Sequence, residues 1–139
     1  MSICTNIQRR YQMYRHARLV TATQQLTLKY TPFMYLWQGA HGRVFPIIKR
    51  IEINNPLWTE IGYATFLHEA GHILSPSQKP YVLSDIVMSQ LWGEVTDTVR
   101  ANEVDAWQWT RIHAVIWTPR MAAFAQAALK TYGITEEIR

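Results

Sequence analysis

A single cysteine, Cys4, among 139 residues excludes an intramolecular disulfide and any fold that depends on one. No run of about 20 apolar residues and no hydrophobic signal core occurs, so neither a membrane span nor secretion is indicated, and a reducing, cytoplasmic setting is expected. Acids are missing from the first 51 positions, which hold Arg9, Arg10, Arg15, Arg18, Lys29, Arg43, Lys49 and Arg50. Residues 52–139 carry six bases against ten acids, so the net charge of +4 divides into halves of +8 and −4. Such halves attract each other, or the basic one faces an acidic protein or nucleic acid. An arginine-rich, acid-free start also has the composition of an organellar transit peptide. Nothing resembling a cleavage site follows it, however, and its pattern runs on as an ordinary helix. Neither an internal repeat nor a low-complexity segment is visible.

What is present suits one globular domain spanning 1–139: hydrophobic residues make up 48% of the chain, with six tryptophans. Ile3, Ile7, Tyr11 and Tyr14 recur at helical spacing, which predicts a basic amphipathic helix over residues 3 to about 22, within a segment 1–25, docked through that face. From residue 26 the pattern turns to alternating, β-rich stretches: 26–30, 33–37 beyond Pro32, and 44–53 interrupted by Pro46, with Gly39 and Gly42 as turn residues. Two or three antiparallel strands are expected. Helices follow from about 56–59 to 74, over 81–92 with Leu83, Ile86, Val87 and Leu91 as the apolar face, over 94–117, and over 120–132 up to Gly133. The class is α+β.

The chemistry concentrates in His68-Glu69-Ala70-Gly71-His72. On a helix, His72 lies about 40° round from His68 and Glu69 about 100° round, so two imidazoles and a carboxylate share one face. Tyr63, Leu67, Ala70 and Leu74 form the opposite, core-facing side. Two imidazoles can hold zinc and the carboxylate can work on a metal-bound water. The bland alternative is that the histidines are ordinary polar residues of a helix.

A catalytic zinc usually takes three protein ligands and leaves one position open. Asp85, Glu94, Asp97, Glu103, Asp105 and His113 are the downstream candidates. On the 94–117 helix, Thr96, Val99, Ala106, Trp107, Thr110, Ala114 and Trp117 fall within about 60° of Glu103, which places this acid inside a core-facing stripe. A carboxylate buried alone would cost several kcal/mol, whereas one bound to a metal is compensated. Asp105 and Glu94 fall about 180–200° away and are expected at the surface. A salt bridge, for instance from Glu103 to Arg100, or a partly exposed position at a helix bend is the competing explanation.

These residues resemble a known group. A strand ending in Asn54, a short linker and a helix bearing Phe66-Leu67-His68-Glu69-Ala70-Gly71-His72 look like the core of gluzincin metallopeptidases, particularly the ImmA/IrrE-like phage and bacterial endopeptidases. Asn102-Glu103-Val104-Asp105-Ala106 fits their ligand helix, which again points to Glu103. The likeness covers about residues 50 to 112, within a metal-site core of 50–117, and leaves out the first fifty. It departs where the family has Asn or Asp four residues after the ligand: Trp107 stands there and cannot accept a hydrogen bond from a zinc histidine.

The resemblance implies a minimal zincin-like domain binding one Zn²⁺ through His68, His72 and Glu103, with Glu69 as general base for peptide hydrolysis on a protein or peptide substrate, often one regulatory protein. Arg50 to Asn54 would be the cleft-edge strand that pairs with an extended substrate. His113, Tyr81, Tyr132 and Arg100 are candidate donors to the developing oxyanion. The alternative is a non-catalytic zinc-binding interaction protein whose basic N-terminal half binds nucleic acid or an acidic partner. A closed structural site would then need Cys4, His41 or His113 as a fourth ligand. Cys4 or the N-terminal helix occluding the metal as a latency device is a third arrangement.

Overall fold

Ten consecutive residues of one helix, Gly62 to Gly71, are buried, and the other elements are laid around it. The computed structural model describes residues 3–32 and 41–138, apart from the side chain of Gln90; the strand expected over 33–37 and the turn at Gly39 lie outside the described residues. Among the described residues the order is α1 (Ile3–Thr23), β1 (Thr27–Tyr30), β2 (Gly42–Phe45), β3 (Arg50–Ile53), α2 (Glu60–Leu74), α3 (Leu83–Trp92), α4 (Asp97–His113) and α5 (Pro119–Lys130). The expected α+β class is what forms.

Helix α2 begins at Thr59, whose Oγ1 accepts from the Gly62 backbone N–H at 3.0 Å. The chain doubles back so tightly here that a Cβ on Gly62 would lie 2.0 Å from the Pro56 carbonyl oxygen. Tyr63, Phe66, Leu67 and Ala70 then fill the core with Ile51, Ile53, Met121 and Leu129. The face expected to pack does so, although Leu74 at its end is only half-buried.

The sheet differs from expectation in two respects. Its order is β1-β3-β2, and it is mixed: β3 pairs antiparallel with β2 across the 46–49 turn but parallel with β1. The hairpin sets β3 beside β2, which leaves only the far side of β3 for β1. β3 is therefore central and cannot be the edge that accepts an extended peptide; among the described residues β2 is an edge instead. Glu52 is buried in this central strand because Arg43 and Arg50 reach its carboxylate at 2.6 and 3.0 Å.

Helix α1 docks on a different face from the one its large apolar residues suggest. Ile3, Ile7, Tyr11 and Tyr14 are exposed, while Met13 and Ala17 are buried. Polar pairing helps to fix this phase: His16 Nδ1 lies 2.7 Å from the Tyr63 hydroxyl, and Arg9 is 3.7 Å from Glu60. Helix α3 corrects a second expectation, since Leu83, Ile86 and Leu91 are exposed and Asp85 is buried, its carboxylate accepting from the Val82 N–H at 3.0 Å. Helix α4 is shorter than 94–117. The chain is extended at Ala114 and again at Thr118, which precedes Pro119 and caps α5.

Helices α2 and α4 lie close together at Gly71, where an added Cβ would lie 2.9 Å from the Ala106 carbonyl oxygen and 3.2 Å from its Cα. Both atoms belong to helix backbone and cannot swing aside. Gly71→Ala is therefore expected to force α4 outward, costing about 1–3 kcal/mol by overpacking. Urea unfolding of the metal-free variant measures this; an unchanged midpoint would mean that the helices are not held at this distance.

Candidate metal centre

The α2–α4 contact brings together the three residues that helical phase selects. His68 and His72 stand one turn apart on α2, and Glu103 reaches them from α4. Glu103 Oε2 lies 3.1 Å from His68 Nε2, Glu103 Oε1 lies 3.1 Å from His72 Nε2, and the two Nε2 atoms are 3.2 Å apart. A tetrahedral ion with bonds of about 2.0–2.1 Å needs donor atoms about 3.3 Å apart. The spacing fits, and the side chains supply the two nitrogens and one oxygen that such an ion takes.

Among the described residues no fourth His, Cys, Asp or Glu joins this group. Cys4 is exposed on α1. His113 is exposed with its ring stacked on Trp109, and His41 packs edge-on to Phe124 in the wall of the neighbouring cleft. Arg100 does not pair with Glu103 but with Asp97 at 3.3 Å.

Electrostatics tie the trio together. Burial alone would lower the pKa of His72, but the hydrogen bond and charge of Glu103, helped by Glu69 and Gln78, push it up to about 9. Burial would likewise raise Glu103, but His68 and His72 hold it far below the usual carboxylate range. Glu69, which is buried, moves the other way: burial raises its pKa and the Glu103 charge adds to that, against the opposing effect of the two histidines.

His68, Glu69 and Glu103 line one side of a cleft of about 560 Å³, whose other walls include Gly42, Trp107, Phe124, Ala128 and Tyr132. Gly42 permits close approach of β2 to the site, because a Cβ there would lie 2.6 Å from Thr65 Cγ2 and 3.3 Å from Glu69 Cγ. Of the four candidate oxyanion donors only Tyr132 lines this cleft. Burial and the charges of Glu103 and Glu69 raise its phenol pKa, which keeps the hydroxyl a donor.

The surroundings of the two histidines differ. Trp107 stacks on His68 with centroids 4.2 Å apart, and His68 Nδ1 is buried with no hydrogen-bond partner. His72 Nδ1 lies 3.0 Å from Gln78 Oε1. Sequence reasoning misses Gln78, whose place in a Ser-Pro loop six residues after His72 carries no pattern that distinguishes it. Asp105, expected at the surface, is half-buried and accepts from Gln78 Nε2 at 2.7 Å, whereas Glu94 is exposed as expected.

No protein-family model matches this chain, and no match was found among curated proteins or solved structures.

Linkage gives a signed prediction for the metal-free protein. His72 is raised from 6.5 to about 9, so its contribution to stability is complete below about pH 6.5 and is lost as pH rises through about 9. Glu103 is lowered from 4.5, so its contribution is present above that pH and is lost on acidification. Urea midpoints in chelator should therefore fall towards acid as Glu103 takes up a proton and towards alkali as His72 loses one, and Glu69, whose pKa burial raises, adds to the loss on the alkaline side. In Glu103→Gln the alkaline fall should shrink; an unchanged fall would detach His72 from Glu103.

Proposed function

We propose that the protein is a zinc-dependent peptidase with a minimal zincin-like domain, in which His68, His72 and Glu103 hold the ion and Glu69 is the general base. The observation that carries this reading is the convergence of three ligand atoms at 3.1–3.2 Å beside a buried carboxylate at the head of a cleft. Further support comes from β3 leading directly towards α2 and from Glu103 arriving on a second helix, as in the gluzincin group that the sequence resembles.

Zinc supplies Lewis acidity towards a carbonyl and makes water a nucleophile near neutral pH. The protein's own residues do the rest. Glu69 takes a proton from the attacking water and delivers it to the leaving amine; the upward shift of its pKa by burial suits a group that must both accept and release one. Tyr132 donates to the carbonyl oxygen as charge builds there. An extended substrate lies along β2, at the edge where Gly42 borders the cleft, and not along the central β3. Apolar walls from Trp107, Phe124 and Ala128 accommodate an uncharged side chain next to the bond that is cut. The substrate is a segment of a protein or peptide, with one particular regulatory protein as the expected target.

Zinc analysis and peptide cleavage test this together. The wild-type chain should bind about one zinc, Glu69→Gln should keep it but lose cleavage, and Glu103→Ala or His72→Ala should lose the ion. Tyr132→Phe should lower kcat by roughly 10²–10³ with zinc retained. Cleavage that persists in Glu69→Gln, or full zinc affinity in Glu103→Ala, would refute the assigned roles.

A second reading concerns the basic N-terminal half. The exposed Ile3, Ile7, Tyr11 and Tyr14 lie on a helix whose Arg10, Arg15 and Arg18 are also exposed and which carries no acid. This supports a surface that holds an acidic protein or nucleic acid, with or without catalysis at the zinc site. Binding to an acidic polypeptide or a DNA duplex should weaken steeply with salt, persist in chelator and fall in Arg10→Glu/Arg18→Glu. Binding indifferent to salt would count against it.

A further inference from the structure

The loop between α2 and α3 is fastened to α4 beside Glu103. Asn102 grips the Lys79 backbone from both sides, its Oδ1 accepting from the Lys79 N–H at 2.7 Å and its Nδ2 donating to the Lys79 carbonyl at 2.8 Å. Gln78, one residue earlier, donates from Nε2 to the Asn102 carbonyl at 2.9 Å and to Asp105 Oδ2 at 2.7 Å. Both amide hydrogens are thus engaged. Reversing the amide would set its oxygen against a carboxylate and a carbonyl, so its orientation is fixed by its neighbours. Gln78 Oε1 then faces His72 Nδ1 at 3.0 Å and can only accept.

We propose that Gln78 is the positioning residue of the metal site: anchored by Asp105 and the Asn102 carbonyl, it holds the proton of His72 on Nδ1 and leaves Nε2 to bind the ion. The inference rests on the zinc reading given above. In a neutral imidazole only one nitrogen carries a proton, so a fixed acceptor at Nδ1 decides which nitrogen is free to ligate. The same relay restrains the ring, since His72 is connected through Gln78 to the helix that bears Glu103. His68 has no counterpart, because its Nδ1 lacks a partner and its ring is held by stacking on Trp107. Where the resembled family places an acceptor four residues after its Glu ligand this chain has Trp107, and the acceptor that faces His72 is a loop glutamine.

Chelator competition on the full-length chain near neutral pH, with circular dichroism of the metal-free forms, tests this. Gln78→Leu should remain folded and bind zinc roughly 10–100-fold more weakly. Gln78→Glu should also bind weakly, because it keeps the acceptor but loses the donor and sets a second carboxylate against Asp105. Combining Gln78→Glu with Asp105→Asn should recover part of the lost affinity, since the carboxylate introduced on the loop would then accept both from His72 and from the amide introduced on α4, while the Asn102 carbonyl still faces an oxygen. A purely structural loop residue would not be rescued by this exchange. Wild-type zinc affinity in Gln78→Leu, or a double variant as weak as Gln78→Leu, would overturn the inference while leaving the peptidase reading intact. A wild-type chain that binds no zinc would overturn the metal reading and this inference with it. Zinc affinity that follows the expected order in a protein without peptidase activity would uphold the positioning role and sink the peptidase reading alone.

Discussion

The structure depends on a carboxylate that cannot be buried alone. Glu103 is 8% exposed on a helix whose other buried residues are Asn102, Ala106, Trp107 and Thr110. Desolvating an unpaired carboxylate costs several kcal/mol, and its pKa would rise until it took up a proton. Two imidazoles one turn apart on α2 prevent this, and a metal ion would do so more completely. The crossing of α2 and α4 is set by the same requirement, because Gly71 allows the helices to come close enough for Glu103 to span both rings. Fold and site are in this sense one constraint.

Most of the site was legible because it is written at helical spacing. His68, Glu69 and His72 need only one turn of helix to come together, and the apolar stripe around Glu103 marked a buried acid within a single element. What spacing cannot convey is approach between elements. Gln78 acts through Asp105, 27 residues away, and through Asn102, 24 residues away, contacts that exist only once the loop lies across α4. Asp105 looked superficial for the same reason: its helical phase was opposite the core, but a loop covers it.

The fold divides similarly. Helix positions and the α+β class followed from periodicity, whereas the sheet order did not, because the β2–β3 hairpin fixes one neighbour of β3 and leaves the place of β1 to tertiary packing. Helices α1 and α3 show the limit of apolar patterning. Each carries a stripe at correct spacing, and each leaves much of it exposed; in α1 the buried side is formed by Met13 and Ala17, backed by a hydrogen bond between His16 and Tyr63. A stripe marks a helix face that can be buried, without saying that this chain buries it.

Ligand identity is the centre of the account. Zinc K-edge absorption of the loaded protein reads it directly, and should give two imidazoles and a carboxylate oxygen at about 2.0–2.2 Å with a remaining light-atom ligand from water. A sulfur neighbour at about 2.3 Å, which only Cys4 or a methionine could supply, or a third imidazole in place of the carboxylate, would contradict it.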